Sequence, residues 1–267
     1  MRKAARILLP LLFWLAVWQI ASTALALVNA QNTGRELSLM EALARGQELL
    51  LPSPLCVGRR LLQLAGTERF WKSAAFSLGR IFAGLAGGVA LGTVLAALTS
   101  ASRVADLLLA PAIGMIRATP VASFIVLVLL WVKTGQVPGV ISGLIVLPVV
   151  WENVRRGIEE TDRDLLEFGR VYGFGRGKTL RLIYLPSILP HFTSGVVNGL
   201  GLAWKSGVAA EVLCQPRWAV GTEVYRSKIS LDTPALFAWT LVVILLSLLL
   251  ERVLVGLLRR LEGRRNR

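Results

Sequence analysis

Side chains that commonly act as catalytic groups or metal ligands are few in this sequence and lie far apart. The 267 residues include one histidine, His191, and two cysteines, Cys56 and Cys214, which lack the CxxC spacing of zinc and redox sites. The run 173–179 ends in Gly-Lys-Thr as a phosphate-binding loop does. That motif also needs a glycine five positions before its Gly-Lys pair, and here the residue at that position is Tyr172. We therefore expect no catalytic residue, no metal site and no cofactor bound by this chain.

Charged residues inside apolar stretches are the other candidates for a functional role, because a charge is costly there. Arg117 lies near Pro120, where a broken helix frees backbone groups, so it either faces a water-filled path or bonds those carbonyls. Lys205, next to Trp204, and Glu211 are six residues apart, which places them about 240° apart around a helix and gives them different partners. We expect Lys205 to border a solute path that favours anions, with snorkelling to the membrane surface as the alternative. Glu211 is either solvated or also on that path.

The elements that carry these residues are apolar helices. The chain is 54% hydrophobic and 17% charged, whereas soluble domains average about 45–50% apolar and about 25% charged residues. The run 81–98 contains no charge, and a bilayer span needs about 20 mostly apolar residues. The sequence predicts an all-α polytopic membrane bundle of about six spans, over 7–28, 73–99, 107–132 (interrupted by Pro111 and Pro120), 139–154, 192–213 and 235–258. A soluble enzyme, a disulfide scaffold and a disordered chain are excluded.

The distribution of Lys and Arg predicts the orientation of these spans. Most of the basic residues outside the spans fall on the cytoplasmic side if both termini are cytoplasmic, and the net charge of +14 therefore reflects topology instead of nucleic-acid binding. The first apolar run, about 22 residues, exceeds the roughly 7–15 of a signal peptide, so we interpret it as a retained helix. The segments expected are an N-terminal helix (1–30), an extracytoplasmic segment (31–72), a core (73–258) with a cytoplasmic loop (155–190), and a basic cytoplasmic tail (259–267).

Glycines recur at four-residue spacing within the spans, which lets helix backbones approach closely. These GxxxG steps are Gly84-Gly88-Gly92, Gly139-Gly143 and Gly195-Gly199. They predict helix packing without indicating a function.

Between the first two spans, residues 36–43 are expected to form a short interfacial helix. Pro52-Ser53-Pro54 is expected to end any helix that precedes it.

The loop between the fourth and fifth spans predicts a helical hairpin. Asp162 suits the N-cap of a helix, and Gly173 suits the left-handed residue that closes it. A second short helix is expected to follow and to stop at Pro186 and Pro190. The apolar residues of this hairpin are Leu165, Leu166, Phe168 and Tyr172.

The same loop resembles the coupling-loop signature of bacterial binding-protein-dependent ABC importer permeases. The pattern is Glu167, then Gly173 six residues later, then Ile183-Tyr184-Leu185-Pro186 after nine more. The family usually has two alanines after the glutamate, and here Phe168 and Gly169 replace them. The resemblance extends over about 51–258, and features such as Leu51-Pro52-Ser53-Pro54 and 201–211 are similar to the nitrate/sulfonate/taurine branch.

This resemblance implies a coupling mechanism and a set of partners. Residues 162–178 would dock into a groove of a separate ATPase subunit, with Leu166, Phe168 and Tyr172 buried there and Glu167 fixing the orientation. The coupling site would also include Gly169, Gly173, Ile183, Leu185 and Pro186. The partners implied are ABC ATPase subunits that hydrolyse the ATP, a second permease copy, an extracytoplasmic solute-binding protein and the lipid of the bacterial inner membrane. The substrate implied is a small anion such as a sulfonate, taurine or nitrate, with a vitamin precursor as the alternative.

Two other function classes compete with an importer permease. A membrane-embedded enzyme would need clustered histidines or carboxylates within the spans, and an ion-coupled carrier typically shows an internal repeat and intramembrane acids. The sequence has one histidine, scattered carboxylates and no repeat between 1–130 and 131–267. These observations favour the importer permease.

Overall fold

Helices make up most of the chain. The computed structural model describes residues 2–32, 38–47 and 50–265, and the side chains of 9–32, 38–46 and 50–256. In chain order the helices are α1 (Arg2–Asn32), α2 (Leu39–Arg45), α3 (Pro54–Ala65), α4 (Glu68–Ala101), α5 (Arg103–Ala118), α6 (Val121–Val128), α7 (Val137–Glu159), α8 (Arg163–Val171), α9 (Arg176–Thr179), α10 (Leu185–Cys214), α11 (Val220–Ile229) and α12 (Thr233–Arg265). A π-helical turn, Leu180–Tyr184, joins α9 to α10, and two-residue strands β1 (Gly46–Gln47) and β2 (Leu51–Pro52) pair antiparallel. The predicted all-α class is confirmed.

Four helices within the described residues are long and apolar enough to cross a bilayer. They are Leu9–Asn32 in α1, Glu68–Ala101 in α4, Val137–Glu159 in α7 and Thr233–Gly256 in α12. The bent pair of α5 and α6 is a fifth candidate. The remaining predicted span lies inside α10, whose 30 residues exceed the required length of about 20 but include Lys205 and Glu211. The observed helices are consistent with the predicted count of about six.

The third predicted span, 107–132, is not one straight helix. The axes of α5 and α6 differ by 106°. The break lies at Pro120, because a proline disfavours helical backbone at the residue before it, and Thr119 is accordingly extended, with φ −78° and ψ 131°. Pro111, which was also expected to interrupt this span, lies inside α5 without ending it.

One compact unit comprises residues 1–74 and 218–244. Within it, Trp18 Nε1 donates to the carbonyl of Pro52 at 3.1 Å, and Ser22 Oγ donates to that of Leu51 at 2.7 Å. A Cβ atom at Gly46, which has φ +64°, would lie 1.9 Å from Ser22 Oγ. These contacts hold the small β-pair directly against α1.

Two helices of this unit, α3 and α11, were not predicted from the sequence. The helix α3 begins where Ser53 Oγ accepts a hydrogen bond from the N–H of Cys56 at 3.2 Å and Pro54 takes the first helical position, a known start signal. In α11, the largely buried carboxylate of Glu223 lies 2.9 Å from Arg69 Nε and 3.2 Å from Arg226 Nη1. The short helix expected over 36–43 is α2, and residues 36 and 37 lie outside the described residues.

The other compact unit comprises residues 75–217 and 245–267. Its helices α4 and α7 meet backbone to backbone, since a Cβ atom at Gly84 would lie 1.9 Å from the carbonyl oxygen of Gly139. A Cβ atom at Gly88 would lie 2.5 Å from the carbonyl oxygen of Gly143. The helix α10 packs along α7. The glycine spacing is thus confirmed as a helix-packing signal.

Candidate functional site

The hairpin expected at residues 162–178, here called the coupling hairpin, begins at a capped helix. Asp162 Oδ1 accepts a hydrogen bond from the N–H of Asp164 at 2.9 Å, which satisfies one of the donors left open at the start of α8. The nine residues of α8 follow directly. The predicted N-cap is confirmed.

The helix α8 ends in a Schellman motif centred on Gly173. The N–H of Phe174 donates to the carbonyl of Gly169 at 2.8 Å, and the N–H of Gly173 donates to that of Arg170 at 3.1 Å. Gly173 has φ +67°, the left-handed conformation that favours glycine. The rings of Phe168 and Phe174 make the apolar contact that accompanies this motif, edge to face at 6.3 Å between centroids. The predicted closing role of Gly173 is confirmed.

The inner side of the coupling hairpin packs on Ile183, which is 5% exposed. A Cβ atom at Gly169 would lie 3.1 Å from Ile183 Cδ1, closer than ordinary van der Waals contact. Gly169 therefore lets α8 approach the turn that leads into α10. This close approach gives a physical reason for glycine at a position where the family usually has alanine.

The outer side of α8 presents apolar side chains to the exterior. Phe168 is 50% exposed and Tyr172 66%, and their rings contact each other at a tilt of 34°, with centroids 4.2 Å apart. Val171, which the sequence analysis did not select, is 83% exposed, and Leu165 is 48% exposed. Leu166 is half-buried and Glu167 is exposed. The helical spacing of residues 165, 168, 171 and 172 places them on one face and is the signal that would have found Val171.

The chain continues from the coupling hairpin into α10 without a break, and the expectation that Pro186 and Pro190 stop a short helix is wrong. Pro186 lies at the start of α10, directly after the π-helical turn, and Pro190 lies inside the helix. The π-helical turn before it is closed by the N–H of Leu185, which bonds to the carbonyl of Leu180. Leu185 is exposed beside this turn.

Arg117, one of the four residues expected near a solute path, pairs with a carboxylate. Its guanidinium forms an ion pair with Glu152 of α7, and 68% of its side chain is exposed. Both residues line a cavity of about 370 Å³ that also touches α10 at Leu202. Arg117 therefore bonds a carboxylate and not, as in the alternative expectation, the carbonyls freed near Pro120.

Glu211 is fully buried, so the alternative that it is solvated is wrong. Its Oε2 accepts a hydrogen bond from Ser77 Oγ at 2.8 Å, and its Oε1 lies 3.9 Å from Arg80 Nη1. Arg80 also donates through Nη2 to the carbonyl of Arg217 at 2.7 Å. This cluster was not predicted from the sequence. The signal available was the spacing of Ser77 and Arg80, which places both on one face of the second span.

Trp204 and Lys205, which are adjacent on α10, differ in burial. Trp204 is 1% exposed, whereas Lys205 is exposed. Both border a cavity of about 190 Å³ between α10 and the last part of α12, which also includes Glu251. The structure therefore does not bring Lys205 and Glu211 together, in agreement with their predicted angular separation.

Among the described residues, no group of three or more His, Cys, Asp or Glu side chains could hold a metal ion. His191 lies 3.3 Å from Glu160 through its Nε2.

Comparisons with known proteins agree with this geometry. Residues 88–264 match the family described as binding-protein-dependent transport system inner membrane component. The chain is 29% identical to the taurine transport system permease protein TauC of Escherichia coli over 208 residues, covering 76% of this chain and 75% of that protein. It is 31% identical to the putative aliphatic sulfonates transport permease protein SsuC of Bacillus subtilis over 140 residues, covering 51% and 50%.

The fold is also similar to that of a solved transporter. A chain in the crystal structure of an amino acid ABC transporter with histidines superposes with a TM-score of 0.62 at 17% identity, covering 76% of this chain and 97% of that one. The family match includes the whole coupling hairpin, all of α10 and α12 as far as residue 264. This chain belongs to the family of inner membrane components of binding-protein-dependent transport systems, and it is the permease subunit of such an importer.

Proposed function

We propose that the coupling hairpin docks into a groove on a separate ABC ATPase subunit and transmits the closure of two such subunits to the membrane helices. The observation that carries this proposal is the exposed apolar face of α8, which includes Phe168, Val171 and Tyr172. Burying apolar surface contributes about 25 cal/mol per Å², so such a face is best stabilised by a partner. Leu166 and Glu167 would lie at the edge of the contact, with Glu167 making polar bonds that set its direction.

The coupling hairpin is suited to transmit force because its parts are locked together. Gly173 closes α8, Ile183 packs against Gly169, and the π-helical turn passes without a break into Leu185, Pro186 and α10. A displacement of the hairpin would therefore move α10 as a rigid body, one of the common forms of conformational switching. ATP would be hydrolysed by the partner, and this chain would have no catalytic role.

We infer that the substrate is a small anion of the sulfonate, taurine or nitrate type. The names of the two permease relatives support this class, and so do the exposed Lys205 on α10 and the exposed Arg117 beside the cavity at Leu202. A cation inside a membrane-spanning region is expensive and commonly marks a solute path. Lys205, with the adjacent Trp204, would border that path, and so would Arg117 beside the cavity at Leu202, whereas Glu211 is buried against Ser77.

The proposed assembly contains two permease copies, two ATPase subunits and an extracytoplasmic solute-binding protein in the bacterial inner membrane. The excess of Lys and Arg supports cytoplasmic termini and a cytoplasmic 155–190 loop. Residues 1–30 would form a retained spanning helix, 31–72 an extracytoplasmic segment, 73–258 the permease core and 259–267 a cytoplasmic tail. The side chains of that tail lie outside the described residues.

Uptake of labelled taurine and propane-1-sulfonate by cells that express the complete transporter tests this function. Glu167→Lys and Gly173→Val should abolish ATP-dependent uptake and ATPase co-purification, while the permease still inserts in the membrane. Gly175→Val is the matched control, because Gly175 has an ordinary φ of −66° and open space around its Cβ position. Normal uptake and ATPase recruitment by both hairpin variants would contradict the docking role. If the unmodified transporter took up neither solute, the proposed substrate class would be contradicted.

A further inference from the structure

The cavity between α10 and α12, here called the α10–α12 cavity, combines opposite charges in a small volume. Its wall includes the ammonium-bearing Lys205, the carboxylate-bearing Glu251 and the polar side chains of Asn198 and Ser247. Its volume of about 190 Å³ lies below the roughly 300–1,000 Å³ of pockets for drug-sized ligands. Its size is therefore suited to a small solute.

On each of the two helices, the polar residues of the cavity lie on one face. Asn198 and Lys205 are seven residues apart on α10, which places them within about 20° of one line and about 10 Å apart along the axis. Ser247 and Glu251 are one turn apart on α12, about 6 Å along its axis. A surface that faced lipid alone would not gather four polar side chains from two helices around one cavity, because each such group is costly in hydrocarbon.

Lys205 and Glu251 share the cavity without neutralising each other. Among the residues whose side chains are described, neither lies within 4.0 Å of an oppositely charged group. Two separated opposite charges in a medium of reduced dielectric constant gain energy from a ligand that contacts both. A plain anion would satisfy Lys205 but would be repelled by Glu251. A solute with one acidic and one amino group satisfies both.

We propose that the α10–α12 cavity binds a small zwitterionic solute, whose oxyanion contacts Lys205 and whose ammonium group contacts Glu251. Asn198 and Ser247 supply hydrogen bonds to the same two groups, and Trp204, which is 1% exposed, forms a rigid apolar wall. This inference rests on the proposed transport function and narrows its substrate class from small anions to amino acids in the wide sense, such as aminosulfonates. Glu251 becomes a specificity-determining residue.

Equilibrium binding to the permease–ATPase complex, purified in lipid nanodiscs without any binding protein, tests the proposal. The probes are labelled taurine and propane-1-sulfonate, which has the same length but a methyl group in place of the ammonium group. The unmodified complex should bind taurine at least tenfold more tightly than propane-1-sulfonate. Glu251→Gln should lower the affinity for taurine about tenfold, as expected for the loss of one charged hydrogen bond, and should raise that for propane-1-sulfonate, because the variant no longer repels a plain anion.

Two further variants define the result. Lys205→Met should lower the affinity for both probes, and Glu251→Asp should retain the preference for taurine. Glu68→Gln removes a carboxylate that is paired with Lys72 outside the cavity, and it should change neither affinity. An equal effect of Glu251→Gln on both probes, or no specific binding of taurine to the unmodified complex, would overturn the zwitterion proposal. The uptake assay with intact cells is independent of this outcome, so sulfonate uptake without discrimination at Glu251 would leave the proposed function standing.

Discussion

The carboxylate of Glu211 is fully buried and accepts a hydrogen bond from Ser77 Oγ at 2.8 Å. Ser77 lies on α4 and Glu211 on α10, so this bond joins two helices that contain predicted spans. Arg80, three residues beyond Ser77, places a guanidinium nitrogen 3.9 Å from the second carboxylate oxygen. A buried carboxylate is strongly destabilising without a balancing charge, so this cluster holds α4 against α10 only while it is complete.

Arg80→Ala should therefore destabilise the protein by about 3 kcal/mol, because it removes the guanidinium nearest to a buried carboxylate. Lys72→Ala on the same helix removes an exposed ion pair with Glu68 and should cost less than about 1 kcal/mol. Thermal unfolding of the two detergent-purified variants, followed by size-exclusion chromatography, measures the difference. Equal midpoints for both variants would show that the buried pair contributes no more than the exposed one.

The packing of α4 on α7 gives a second prediction. Gly84→Ala should destabilise the protein by about 3 kcal/mol or more, because the added Cβ would lie 1.9 Å from the backbone oxygen of Gly139, and neither helix can yield without separating. Gly87→Ala is the control on the same helix, where a Cβ atom meets nothing within 4 Å. It should be neutral or stabilising by up to about 1 kcal/mol, since alanine favours helix more than glycine does. The same unfolding assay distinguishes them, and similar loss in both would contradict the close approach.

Local signals in the sequence predicted the features that depend on local physics. Asp162 and Gly173 bracket α8 because an N-cap needs a side-chain acceptor and a Schellman motif needs a left-handed residue, and both requirements are visible in residue type and spacing. The glycines at four-residue spacing predicted the close packing of α4 on α7, because this spacing is also visible in the sequence. The bend at Pro120 was expected as an interruption, but its angle of 106° depends on the packing around it.

Features that depend on distant partners were beyond the sequence analysis. Arg80 and Glu211 are 131 positions apart, and nothing local indicates that the two helices bring them together. The meeting of Lys205 and Glu251 in one cavity is of the same kind. Pro186 was misinterpreted because a proline both ends and begins helices, and only the preceding π-helical turn shows that here it lies in a first turn.

The orientation in the membrane gives a third prediction. Reporter fusions at Lys178 and after Arg267 should report a cytoplasmic location, and a fusion near Gln47 an extracytoplasmic one. The reason is the excess of basic residues on the side that holds the coupling hairpin and the C-terminal segment. An extracytoplasmic signal from the fusion after Arg267, with a cytoplasmic signal at Lys178, would mean that either the fifth or the sixth predicted span does not cross.

The two sides of the coupling hairpin should respond differently to truncation, which is the fourth prediction. Val171 is 83% exposed on the outer face and Ile183 is 5% exposed on the inner face. Val171→Ala should leave the thermal midpoint of the isolated permease unchanged but weaken ATPase binding about tenfold, because it removes two buried carbon groups worth roughly 0.8 kcal/mol each at the docked surface. Ile183→Ala should lower the midpoint, since truncating a buried isoleucine costs about 2–5 kcal/mol. Binding of the purified ATPase, measured by biolayer interferometry, and unfolding of the permease alone separate the two effects. Unchanged ATPase affinity in Val171→Ala would remove the outer face of α8 from the docking surface.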